Sequence, residues 1–412
     1  MNTDSFERRL DTYAELLVRV GVNVQPGQKL IVRTSTAAVA LTRKVVELAY
    51  RAGSPYVEVM WSDDGVTRAR FAHAPDGSFG IIPQYRAEAM NQLAAEGAAS
   101  LSIVADDPNL LAGTDPRRYA TYTAAWRPTV KAYTDLSMSD SIAWCVAAAA
   151  SPAWATRAYP HLAEHEAVDA LWNAIFAATR VDAPDPVAAW REHATVLKVA
   201  KDNLNSRRYS ALRFTGPGTD LTVGLADGHV WDGGSSTNTA GTAFMANMPT
   251  EEVFTAPHRA KVDGVVRATK PLSYNGTMID GFWLRFENGR VVEAHADVGQ
   301  AALDSILDTD EGSRRLGEVA LVPASSPIEK AGVLFYQTLF DENAACHIAL
   351  GRAYNTTVAG SRDMSPEQQE AVGMNTSLSH VDFMIGSAAV DVDGVLADGT
   401  TQPVMRRGEW AD

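Results

Sequence analysis

Apolar side chains in the first half of the chain recur with two alternating periods. Phe6, Leu10, Tyr13, Leu17 and Val20 fall three or four residues apart, so residues 5–20 are predicted to form an amphipathic helix that Gly21 can close. The apolar run Lys29–Arg33 reads as a strand, residues 37–52 as a helix ending near Gly53, and Tyr56–Met60 as a second strand. A helix is expected over 84–97 and a third strand over Leu101–Val104. Ile142 to Ala150 reads as a buried strand or core segment, too short to span a bilayer. Residues 163–178 and 186–204 are two more predicted helices. Strands alternating with helices point to a mainly parallel sheet flanked by helices.

The pattern changes near Tyr209, where strand-like runs separated by turn signals take over. Arg285–Val292 reads as a hairpin around Asn288-Gly289, and Val390–Thr400 carries two further turns. A boundary is placed in 195–208. The expected organisation is an α/β domain over 1–200, then an α+β catalytic domain rich in antiparallel strands over 201–412.

Composition narrows the partners. A 412-residue chain with 46% hydrophobic and 21% charged residues is that of a globular protein. Its net charge of −14 argues against nucleic acid or an anionic membrane as a main partner. The first residues, Met1 to Glu7, lack the basic and apolar regions of an export signal. Cys145 and Cys346 are too few and too far apart for a disulfide framework and suit a reducing, cytoplasmic setting.

Candidate chemistry gathers in the second half. Glu251 and Glu252 are adjacent within Asn247–Pro257, so on an extended segment they point to opposite sides. Either can be a ligand, the other then acting as a general base or facing solvent. Glu318 opens the apolar run Val319–Val322, where it is a ligand or a solvated strand end. Asp341, Glu342 and His347 fall in one short segment, which also reads as a helix start with acidic residues at its positive end. His380 and Asp382 are two apart and share a face if they lie on a strand. Together these are carboxylate and imidazole donors on separate segments, as two-metal hydrolases use. Three other signals compete. His161-Leu162-Ala163-Glu164-His165 matches an inverted zincin pattern but follows Pro160 in what reads as a first helical turn. Cys346 beside His347 raises a thiol nucleophile. Gly216–Asp220 is glycine-rich but lacks the Lys-Ser/Thr of a P-loop, so a nucleotide cofactor has little support. A metal-stabilised binding protein and another two-metal amide hydrolase are the rival functions.

The segments NMPTEEVFTAP (247–257), LGEVALV (316–322), LFDENAACHIALG (339–351) and HVDFMIGS (380–387) resemble the aminopeptidase T / aminopeptidase S family of metal-dependent aminopeptidases, the thermophilic metalloprotease type. Similarity extends into the first half, for example over residues 172–190. The resemblance implies Glu252, Glu318, His347, His380 and Asp382 as metal ligands, with Glu342 a further one. It makes Glu251 the alternative ligand or a catalytic carboxylate, and Tyr354 the active-site tyrosine. It leaves the His161–His165 segment outside the site. It also implies two divalent ions per subunit (Zn, Co or Mn), a homodimer enclosing its active sites, and peptides with a free amino terminus as substrates.

Overall fold

The computed structural model describes residues 3–274 and 277–411. These residues form two compact units: Met1–His193 with Ser235–Pro249, and Ala194–Gly234 with Thr250–Asp412. The second unit therefore begins inside the long helix Pro186–Arg207, and the excursion Ser235–Pro249 means that no single cut in the sequence separates the two.

In the first unit the predicted alternation is realised. Strands Val57–Ser62, Leu30–Ser35, Ala99–Val104 and Trp144–Ala148 lie in that order, all parallel. Ala99–Val104 is buried along nearly its whole length, as expected for a strand covered on both faces. The first helix, Thr3–Leu16, buries Leu10, Tyr13, Ala14 and Leu16 and runs on through a π turn, Leu17–Gly21. Helices Asp64–His73, Pro116–Thr129 and Lys131–Met138 were not foreseen. Asp64–His73 buries only Phe71, so it carries almost no apolar stripe for a periodicity to show.

The second unit is antiparallel. An eight-stranded sheet runs in the order Arg290–His295, Trp283–Glu287, Pro257–Arg267, Thr219–Leu225, Ala211–Gly216, Asp391–Val395, Thr401–Arg406, Glu409–Trp410. The predicted hairpin joins Trp283–Glu287 to Arg290–His295, and its turn residues Asn288 and Gly289 have φ of 50° and 78°. Both positive values suit a type I′ turn, for which Asn-Gly is the favoured pair. A Cβ on Gly289 would also sit 1.9 Å from the Arg259 carbonyl oxygen.

A second sheet of four strands carries the chemistry. Its order is His380–Met384, His347–Gly351, Leu316–Leu321, Val253–Thr255, antiparallel throughout. One face belongs to the unit's apolar core through Val253, Val319, Leu321, Ile348, Leu350, Val381 and Phe383. Ile348 is fully buried between Val319 and Phe383. Ile348→Ala is expected to cost about 2–5 kcal/mol, the transfer term plus a cavity that its packed neighbours only partly close. Urea unfolding of the chelated protein reads this loss. Among the described residues no helix is long and apolar enough to cross a membrane.

Candidate metal centre

Strand alternation sorts the side chains of the four-stranded sheet. With the apolar residues on one face, the other face receives Phe254, Glu318, Ala320, His347, Ala349, Gly351, His380, Asp382 and Met384. Glu318 and Asp382 both pair with Ala349, and His380 pairs with Gly351. The strand His347–Gly351 thus presents the small residues Ala349 and Gly351 between the charged ones. Glu252 lies one residue before the strand Val253–Thr255 and reaches His347 on this face.

Two groups of donors result: Glu252, Glu318 and His347, and Glu318, His380 and Asp382. Within each, ligand atoms lie within 4.8 Å of one another. His347 Nε2 is 3.2 Å from Glu252 Oε2 and 3.3 Å from Glu318 Oε1. His380 Nε2 is 3.2 Å from Asp382 Oδ1 and 3.7 Å from Glu318 Oε2. Glu318 therefore turns one oxygen to each group. The imidazoles are oriented from behind: His347 Nδ1 is 3.3 Å from the Ala345 carbonyl oxygen, and His380 Nδ1 is 2.7 Å from that of Arg352. Donating Nδ1–H there leaves Nε2 of each ring as the atom that faces the carboxylates and can exchange its proton for a metal, the usual arrangement of metal-binding histidines.

The electrostatics are those of a site built for cations. Burial alone would lower the His347 pKa, but Glu252 and Glu318 outweigh it and hold the imidazole well above its usual value. His380 is likewise raised to about 9, burial being overcome by Asp382 and Glu318. Burial raises Glu318, with Asp382 and Glu252 adding to the effect against the two imidazoles. Asp382 is lowered, because His380 and His347 overcome the burial that would raise it. Glu252 Oε2, Glu318 Oε2 and Asp382 Oδ1 are buried without a well-aligned hydrogen-bond donor, despite the nearby imidazoles. Buried carboxylate oxygens in that condition are costly unless a cation meets them. Oxygen and imidazole donors with no thiolate fit a hard or borderline divalent ion.

Other residues singled out in the sequence fall around this centre. Glu251 is buried and donates its backbone N–H to Asn343 Oδ1 at 2.7 Å. Glu342 begins the 3₁₀ turn Glu342–Ala344 and lies outside both donor groups. Burial, then the charges of Glu252 and Asp382, hold its pKa well above the usual carboxylate range. Tyr354 is 37% exposed, its ring 4.8 Å from that of His380 and 6.0 Å from that of Phe254. Packing around the phenol and the charges of Glu318 and Asp382 raise its pKa, so the hydroxyl keeps its proton. Asp341 accepts the N–H groups of Phe335 and Gln337 at 2.7 and 3.0 Å, which makes it a loop-holding residue.

The competing signals fare differently. His161 precedes the helix Glu164–Ala178, and His161, Glu164 and His165 are all exposed, so the zincin-like string is not one helical face. Cys346 is buried against Val322 and Met405, and burial pushes its thiol up to about 11, which suits an inert core residue. Asn343 and Gly317 carry no assigned role in the sequence reading, although both sit inside the motifs given above. A Cβ on Gly317 would lie 2.3 Å from the Arg352 carbonyl oxygen and 2.4 Å from that of Gly351, at the strand irregularity before Glu318. Gly317→Ala is expected to push Glu318 off its position. It would cost about 1–3 kcal/mol in stability from overpacking and about 10²-fold in kcat/KM, read by thermal unfolding and steady-state kinetics.

Comparison with known proteins agrees with this geometry. The family model described as thermophilic metalloprotease (M29) matches residues 6–410. Aminopeptidase 2 of Geobacillus stearothermophilus is 49% identical over 406 residues, covering 98% of each chain. Aminopeptidase T of Thermus aquaticus is 47% identical over 411 residues, covering 99% of each. The solved structure of wild-type AmpT from Thermus thermophilus superposes with a TM-score of 0.93 at 45% identity, over 99% of this chain and 100% of that one. With matches running nearly end to end in sequence and in structure, the chain belongs to the M29 family of metalloproteases.

Proposed function

We propose that this chain is an aminopeptidase that works with two divalent ions, Zn, Co or Mn, and releases N-terminal residues from peptides with a free amino terminus. Glu252, Glu318 and His347 would hold one ion, and Glu318, His380 and Asp382 the other. The observation that carries the reading is Glu318, whose Oε1 and Oε2 face different imidazoles at 3.3 and 3.7 Å. A carboxylate so placed suits a bridge between neighbouring ions. Once bound, the ions would supply Lewis-acid polarisation of the peptide carbonyl and a nucleophile available at neutral pH.

The chain's own groups do the rest. Glu251, buried next to Glu252, is assigned the proton transfer from the attacking water to the leaving amine. The Tyr354 hydroxyl, protonated and partly exposed, is assigned the hydrogen bond to the developing oxyanion. Glu342 adds a further carboxylate, as an additional ligand or as counter-charge to the substrate's ammonium group. The excess of acidic groups favours a positively charged amino terminus over a blocked one. The same reading includes a homodimer in the cytoplasm, supported by the resemblance and by two free, buried cysteines.

Elemental analysis of the purified, metal-saturated protein tests the stoichiometry. Two ions per chain are expected, and one or none contradicts the shared role of Glu318. A pH effect follows as well. Without metal, and against the effect of burial, Asp382 and Glu318 raise His380 to about 9 and His347 is also raised, so their contribution to stability is fully present below the unfolded value of about 6.5. The His380 part is lost as pH rises through about 9. The chelated protein should therefore lose thermal stability between about pH 6.5 and 9, while the metal-loaded protein, whose imidazoles are already deprotonated, should not.

A further inference from the structure

The two acidic segments of the centre meet through one fully buried side chain. Asn343 is completely shielded from solvent. Its Oδ1 accepts the backbone N–H of Glu251 at 2.7 Å, and its Nδ2 donates to the Leu339 carbonyl at 3.1 Å. The same Nδ2 stands 3.5 Å from Glu342 Oε1. Its own carbonyl accepts the Ser326 hydroxyl at 2.6 Å. The amide is thus held on both sides and cannot rotate without losing a buried hydrogen bond.

Its partner segment lies just outside the strand ladder. Glu251 and Glu252 precede the strand Val253–Thr255, whose pairing with Leu316–Leu321 begins only at Val253. Backbone ladder pairing therefore stops one residue short of Glu252. The Asn343 amide takes the Glu251 N–H, and it does so from a segment 92 residues away in sequence. An amide is the side chain suited to this place. A carboxylate there would face Glu342 and the Leu339 carbonyl with no donor, and an apolar residue would leave the Glu251 N–H without this acceptor.

We propose that Asn343 is a positioning residue. By tying the Glu251 backbone to the Leu339–Glu342 turn, it sets where Glu251 and Glu252 present their carboxylates to the centre. The assignment rests on the metallopeptidase reading above.

The test compares the native protein with N343A and N343Q. Zinc affinity is measured by competition with a chromophoric chelator, thermal stability with and without zinc, and kcat and KM on leucyl-p-nitroanilide at saturating zinc. N343A is expected to bind zinc about 10–100-fold more weakly and, when loaded, to lose kcat by a similar factor. Its KM should stay within about twofold, because the substrate-facing groups remain. N343Q keeps an amide, with both an acceptor for the Glu251 N–H and a donor for the Leu339 carbonyl, and should recover most of the lost kcat. Native zinc affinity and native kcat in N343A, whatever its melting temperature, would overturn the proposal and leave Asn343 a packing residue. So would N343Q falling as far as N343A. If N343A does not fold, N343L, which keeps the branched shape and lacks the amide, is read in its place: a loss of kcat of about 10–100-fold supports the tether, and native kcat overturns it. Absence of zinc-dependent cleavage by the native protein would instead count against the metallopeptidase reading.

Discussion

Glu318→Gln is expected to lower kcat/KM by at least about 10³-fold and to leave the protein unable to hold two ions. Glutamine keeps the shape but removes the charge, and its NH2 group cannot act as a ligand. Only Glu318 belongs to both donor groups, with its two oxygens directed at His347 and His380. On the proposed two-ion reading its loss would weaken both sites together, whereas loss of Glu252 or Asp382 would touch one. The magnitude follows from the several kcal/mol of transition-state stabilisation that a metal centre supplies, at about 1.4 kcal/mol per tenfold in rate. The fold should survive, because the apolar face of the strand that carries Glu318 stays in the core through Val319 and Leu321. Elemental analysis and circular dichroism separate the two effects. A folded variant that still holds two ions would remove Glu318 from its bridging place.

Tyr354→Phe is expected to reduce kcat by about 10²–10³-fold, the usual loss for removal of one oxyanion donor. Metal content should be unchanged, since both donor groups are made of carboxylates and imidazoles. The ring should also stay in place, because its packing against His380 and Phe254 needs no hydroxyl. KM should move little, as the hydrogen bond strengthens only when charge develops on the carbonyl oxygen. Steady-state kinetics at saturating metal check this, and an unchanged kcat would take Tyr354 out of the mechanism.

How far the sequence could be read depended on what each signal encodes. The parallel strands Leu30–Ser35 and Ala99–Val104 were legible because strands buried in an α/β sheet form short apolar runs, and the partly exposed edge strand Val57–Ser62 because it is rich in valine and carries an aromatic residue. The hairpin at Asn288-Gly289 was legible because few residue pairs adopt two positive φ values in succession. Helices such as Asp64–His73 were not, because a mostly exposed helix has no apolar stripe. At the centre, residue type and local spacing pointed to carboxylates and imidazoles, and His380 and Asp382 do share a strand face. A carboxylate such as Glu318 was expected to bridge the two ions from the two-metal reading. The strand order that sets Glu318 between the donor groups, with Leu316–Leu321 between Val253–Thr255 and His347–Gly351, is one that no local pattern encodes. The choice between Glu251 and Glu252 stayed open in the sequence; among the described residues it is Glu252 that falls into a donor group with Glu318 and His347. Asn343 escaped because its importance lies in a hydrogen bond to a residue 92 positions away.

The measurement that bears most directly on the central claim is hydrolysis of leucyl-p-nitroanilide against its N-acetylated form, before chelation, after it, and after adding back Zn, Co or Mn. The account predicts cleavage of the free-amine substrate only, lost on chelation and restored by metal. Cleavage of both substrates alike, or cleavage that persists in the chelated protein, would contradict it.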